Sequence, residues 1–135
     1  MLKGLLIFFS IALVLLGNNE AYPKEKQFSG IYSNVEYFEG DLSGFEMEIR
    51  YRNSKYEGTI QYFFGAPGPL MKINPFINKN HISIEISGPP PTEDPGKYKG
   101  KFEGEISQET IKGTLDDNFL CSKCNMTLKR INKVN

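Results

Sequence analysis

Two cysteines stand in the run Leu120-Cys121-Ser122-Lys123-Cys124-Asn125, and the 135-residue chain has no others. A Cys-x-x-Cys pair serves as a redox centre, half of a zinc site, a haem attachment point or a plain disulfide. Zinc takes about four ligands, and this pair with the single His81 falls short. A c-type haem needs histidine directly after the second cysteine, where Asn125 stands. A thioredoxin-like pair opens a helix whose N-terminus lowers the thiol pKa, whereas Cys121 and Cys124 fall between two expected strands. The foremost reading is a structural disulfide in an oxidising compartment, with free thiols and redox or metal work as alternatives. So short a ring stabilises by about 2 kcal/mol or less on chain-entropy grounds.

Other chemistry is thinner. His81 begins a strand on the expected solvent face. There is no Gly-x-Ser-x-Gly elbow, no His-x-x-x-His pair and no phosphate-binding glycine loop. Asp116-Asp117-Asn118 lacks the further spaced oxygen ligands that calcium requires and reads as a turn. Glu46, Glu48, Glu103 and Glu105 alternate with Arg50, Arg52, Lys99 and Lys101 as solvated charges, not as a catalytic carboxylate pair. The chain is therefore read as a non-enzyme, with no metal and no cofactor expected.

The compartment comes from the first residues. Lys3 precedes an apolar run from Leu5 to Leu16, broken only by Ser10. A core of about a dozen residues suits a signal peptide, whereas a spanning helix needs about 20. The expectation is a signal peptide over 1–21, removed on export, then one domain over 22–135. The protein would be periplasmic or secreted and carry no stable membrane anchor after cleavage. Sixteen basic residues balance 16 acidic ones without a basic block, which disfavours nucleic acid as a partner.

Those few groups must be positioned by strands, because alternation dominates the rest. Phe45, Met47, Ile49 and Tyr51 share one face of 44–52, and Tyr56, Ile60, Tyr62 and Phe64 share one face of 55–65. Ile82, Ile84 and Ile86 follow in 81–87, then Tyr98, Phe102 and Ile106 in 97–107. Strands over 110–116 and 125–131, an opening one over 30–37 and a weaker one over 69–77 complete about eight. Segments rich in Gly, Pro, Asn and Asp separate them, mostly at hairpin length. The expected fold is all-β: one antiparallel up-and-down barrel, with a two-sheet sandwich as the alternative. Gly58, Gly100, Gly104 and Gly113 fall on inward faces. There they permit bends and make room for aromatic rings, or hollow out a pocket.

The segments "GIYSNVEY", "GDLSGFEMEI" and "IKGTLDDN…MTLKRI" resemble a family of small exported bacterial β-barrel proteins of uncharacterised function. More loosely they resemble the lipocalin- and avidin-like barrels, whose last hairpin often ends in Gly-Thr-x…Leu-x-Arg. The resemblance spans residues 28–131 and implies the fold, not an activity. Gly30-Ile31-Tyr32 stands where lipocalins carry Gly-x-Trp, and without tryptophan no biotin-type pocket is implied.

Two functions are compatible with this reading. In the first, the barrel binds a small apolar or amphipathic molecule, held by the interior residues Phe45, Tyr51, Tyr56, Gly58, Tyr62, Tyr98, Gly100 and Phe102. In the second, the barrel is filled and the protein is an envelope interaction or assembly factor acting through its loops. The proline-rich stretch "GPPPTEDPG" over 88–96 motivates that alternative.

Overall fold

The computed structural model describes residues 27–90 and 96–131. The expected signal peptide and the centre of the proline-rich stretch lie outside the described residues. Every regular element among the described residues is a strand: β1 (Gly30–Ser33), β2 (Glu36–Phe38), β3 (Asp41–Arg52), β4 (Lys55–Ile73), β5 (Phe76–Asn78), β6 (His81–Gly88), β7 (Tyr98–Ile106), β8 (Thr110–Asp117) and β9 (Cys124–Ile131). They form one strongly curled antiparallel sheet in the order β2-β3-β1-β9-β8-β7-β6-β5, with β4 on β3.

Two of these elements combine and one divides. β1 and β2 both pair with β3 in a single register, Gly30 opposite Ile49 and Glu36 opposite Ser43, so they are one strand with a kink. β4 reverses on itself. The Gln61 side-chain amide donates to the Gly68 carbonyl at 2.8 Å, and Gly58 and Thr59 share a surface depression with Lys72, Ile73 and Asn74. A straight strand would separate residues 58 and 73 by roughly 50 Å. The chain therefore turns back near Gly65, whose φ of +75° suits glycine. The returning half packs against β6, where a Cβ on Gly88 would come within 2.7 Å of Met71. β5 then continues along β6, with Phe76 opposite Ser83. The sheet thus curls into a half-barrel of eight up-and-down runs among the described residues, the count expected from the alternation, with the returning half of β4 brought against β6.

The inward positions form one core. Tyr32, Met47, Ile49, Ile60, Tyr62, Ile82, Ile84, Ile86, Tyr98, Phe102, Ile106, Ile111, Leu115 and Leu128 are all buried, joined by Phe28, Met71 and Ile73 from outside the clearest alternation. Burial of an aromatic or branched side chain stabilises by about 1.5–3 kcal/mol, so the core outweighs every surface ion pair. Phe64 departs from expectation. It keeps the inward phase but is 67% exposed, because it lies beyond the end of the barrel, opposite Ser43 near a hairpin tip.

The meander sorts the turns onto two ends. The rim end carries the turn at Glu39-Gly40, the reversal near Gly65, the end of β6 with the start of β7, and the disulfide loop between β8 and β9. The base end carries the turns at Asn53-Ser54, Lys79-Asn80 and 107–109. The base is shut by side chains. The Tyr32 hydroxyl shares its proton between the Phe28 and Ser107 carbonyls at 3.0 and 3.1 Å. The Arg130 guanidinium lies over the Tyr32 ring, 5.8 Å from its centroid, and donates to the carbonyls of Gln108 (3.1 Å) and Ser29. Gly30 leaves the space for it, since a Cβ there would meet Arg130 Nε at 2.7 Å.

Candidate functional site

The interior residues expected to hold a ligand separate into three places. Tyr51 and Tyr56 sit across the base hairpin, half-buried, with ring centroids 5.0 Å apart. Gly58 lies beside them, and a Cβ there would fall on the Glu48 carbonyl oxygen. Phe102 is in the middle of the core, buried, with its ring tip over Gly113. Phe45, Tyr62, Tyr98 and Gly100 gather towards the rim. Tyr62 packs edge-on against Phe45 at 4.3 Å and against Tyr98 at 5.0 Å.

The phenols near the rim are occupied by each other. Tyr62 and Tyr98 share a hydrogen bond, and Tyr98 also donates to Asp117 Oδ2 at 2.7 Å. Burial pushes the Tyr62 phenol well above its ordinary pKa, and the Asp117 carboxylate raises it further. The other carboxylate oxygen, Asp117 Oδ1, accepts the backbone N–H groups of Phe119, Leu120 and Cys121 at 2.8, 2.5 and 2.9 Å. One aspartate thus ties the disulfide loop to the top of the core. Asp116 and Asp117 are not turn residues as expected: they close β8 opposite Lys101 and Gly100, only Asn118 lies past the strand, and Asp117 has this second task. The glycines make room for neighbours here. A Cβ at Gly100 would meet Tyr98 Oη at 2.9 Å and Asp117 Cβ at 3.0 Å, and one at Gly104 would meet Gly113 Cα at 2.6 Å.

Cys121 and Cys124 are joined by a disulfide, with Cα atoms 5.7 Å apart. Lys123 takes a left-handed φ of +55° inside the ring. His81 is exposed at the start of β6, opposite Glu105. No group of metal-ligating side chains occurs among the described residues. The carboxylates of Glu48 and Glu103 lie 2.7 Å from Arg50 and Lys101 on the outer wall. The Lys101 hydrogen bond holds the Glu103 carboxyl below its usual range.

The rim presents what sequence reasoning missed. Tyr37 is 73% exposed and Phe38 69%, as Phe64 is on the neighbouring hairpin. Leu42 pairs with Gly65, so the β2–β3 hairpin and the β4 reversal stand side by side, with Phe38 and Phe64 in phase on one face and Tyr37 on the other. A signal was present in the sequence. Tyr37-Phe38 and Phe63-Phe64 are adjacent aromatic pairs, and neighbours in a strand cannot both face the core.

This hairpin loses its second neighbour where β1 passes into β2. Ser33 Oγ accepts the Val35 N–H at 3.1 Å, and Asn34 Oδ1 accepts the Phe45 N–H at 2.7 Å. Pairing between β1 and β9 stops at Ser33 opposite Lys129. Beyond it β2 pairs only with β3, and β9 from Cys124 to Leu128 only with β8, among the described residues. The Asn34 N–H donates to the Phe45 carbonyl, so the backbone groups of Val35 and Tyr37 alternate away from β3.

No family model, no curated protein and no solved structure matches this sequence.

Proposed function

We propose that the protein is an exported, non-enzymatic binding module that engages a protein partner through its rim. The observation that carries this reading is that Tyr37, Phe38 and Phe64, on two adjacent hairpins, are all exposed at one end of a core whose own aromatic rings are buried. Exposed apolar side chains concentrated at one end of a molecule mark interaction surfaces, and aromatic anchors contribute a large share of interface energy. The Asp117 cap and the Cys121–Cys124 disulfide give the neighbouring loop a fixed shape. Export, to the periplasm or the medium, is supported by the leader-like pattern over 1–21 and by that disulfide.

The geometry favours this over a small apolar molecule held inside the barrel. Tyr62, Tyr98 and Phe102 are each 1% exposed, and the first two bond to one another in place of a ligand. The test is a photo-crosslinking residue placed at Phe38 or Phe64 and, separately, at Phe76, in the cells that make the protein. Discrete cross-linked protein is expected from the rim positions and none from Phe76, which is exposed near the base turn at Lys79-Asn80. Equal absence at both ends, with a stoichiometric small molecule retained in native mass spectrometry, would return the assignment to the barrel interior.

A further inference from the structure

We infer that the rim recognises an extended, basic segment of its partner, which adds as a strand to the free edge of β2. This rests on the rim reading above and specifies its partner. Three features of one short hairpin carry it. The first is the edge itself: Tyr37 turns its N–H and carbonyl away from β3, as Val35 does its carbonyl while Ser33 Oγ holds its N–H, and β2 has no second strand among the described residues. Exposed sheet edges accept extended peptides through main-chain hydrogen bonds, with alternate side chains supplying specificity. The second is charge. Residues 36–43 read Glu-Tyr-Phe-Glu-Gly-Asp-Leu-Ser, with Glu36, Glu39 and Asp41 and no basic residue. The third is the pair of exposed rings, Tyr37 and Phe38, which offer cation–π faces to lysine or arginine.

Charged residues on an edge also keep it from pairing with copies of itself. That ordinary protective role argues here against a second copy of this chain. Two such hairpins would bring their carboxylates together, whereas a basic strand would neutralise them. The break at Ser33-Asn34 then has a purpose, since pairing with β9 ends there and β2 continues on β3 alone.

The test is to pan a random heptapeptide phage library on the oxidised full chain without its leader, then measure synthetic winners by calorimetry. The expected winners alternate basic and apolar residues and lack proline. N-methylation of alternate amides should weaken binding more than tenfold on one face of the peptide and little on the other. The triple variant Glu36→Lys, Glu39→Lys, Asp41→Lys should weaken it more than tenfold while the melting temperature stays near that of the parent. Failure to enrich any peptide, or enrichment of acidic or proline-rich ones, overturns the inference. So does binding that is indifferent to N-methylation on both faces, although the rim reading then stands if Phe38→Ser abolishes binding. Flotation with phosphatidylcholine vesicles in place of peptide binding would overturn both.

Discussion

At the base of the barrel Arg130 covers Tyr32 and satisfies backbone carbonyls of Ser29 and Gln108, while at the rim Tyr37, Phe38 and Phe64 hold their rings in solvent. The same alternating strands run between the two ends. The difference is in how each end treats groups that the sheet leaves unsatisfied. The base uses a long cationic side chain from the last strand to cap one carbonyl next to the first strand and one in the turn between β7 and β8. The rim caps its disulfide loop through Asp117 and leaves its hairpins bare. An end finished in this way is built for stability, and an end left bare is available for contact.

The largest expected effect separates the two ends directly. Tyr32→Ala removes a fully buried ring, two carbonyl contacts and the platform under Arg130, and should cost about 3–5 kcal/mol. Phe38→Ala at the rim should stay within about 0.5 kcal/mol. Urea denaturation of both variants checks this, and comparable losses would mean that the rim rings are structural after all.

Asp117 is where the rim does resemble the base. Asp117→Ala strips an acceptor from three backbone N–H groups and from the Tyr98 hydroxyl. Leaving such donors unpaired costs about 1–3 kcal/mol, and the loss should be near the upper figure here. Amide exchange should quicken over Phe119–Cys121 while the base stays protected. A loss confined to global stability, without faster exchange in the loop, would contradict the role given to this residue.

Much of this was legible in the sequence, and the reasons are physical. A strand buried on one face writes its orientation into every second residue, so β3, β6 and β7 can be read directly from Phe45–Tyr51, Ile82–Ile86 and Tyr98–Ile106. Gly-rich turns gave the meander, and the meander gave the barrel. The reversal within β4 was legible too, as a break at Gly65 between two alternating runs. What could not be read was which end stays open. That depends on Arg130 reaching the backbone of residues far away in sequence, and on Ser33 and Asn34 replacing main-chain bonds with side-chain ones. Neither leaves a periodic trace. Phe64 shows the limit most clearly, since its phase is inward and only the length of the barrel makes it exposed.

Alkaline pH should sharpen the comparison at an intermediate size. The Tyr62 phenol has its pKa raised by burial and then by Asp117, and Tyr32 is raised by burial against the opposing pull of Arg130. Both groups are neutral in the folded and unfolded states below the ordinary phenol pKa of 10.0, so their contribution is complete there. Above that value the unfolded chain ionises first and the equilibrium shifts towards it. Stability should therefore be level up to about pH 9 and lower by about 1–2 kcal/mol at pH 11. Tyr62→Phe should flatten that fall, and an unchanged slope would show that the buried pair does not govern it.

The smallest effect compares two turns. Both the rim turn at Glu39-Gly40 and the base turn at Asn53-Ser54 place their two central residues at positive φ, 50° and 94° in the first and 52° and 61° in the second. Two-residue hairpin loops of this hand match the twist of their strands and favour glycine in the second place. Gly40 follows that preference, and Ser54 does not. A non-glycine residue in the left-handed region costs about 1 kcal/mol, so Ser54→Gly should stabilise by somewhat less, after the added freedom of the unfolded chain is subtracted. Gly40→Ser should destabilise by a similar amount. If Ser54→Gly is neutral, the serine is held by contacts at the base that offset its strain. If Gly40→Ser is neutral, the rim hairpin yields without loss, as a hairpin that moves to receive a partner strand would.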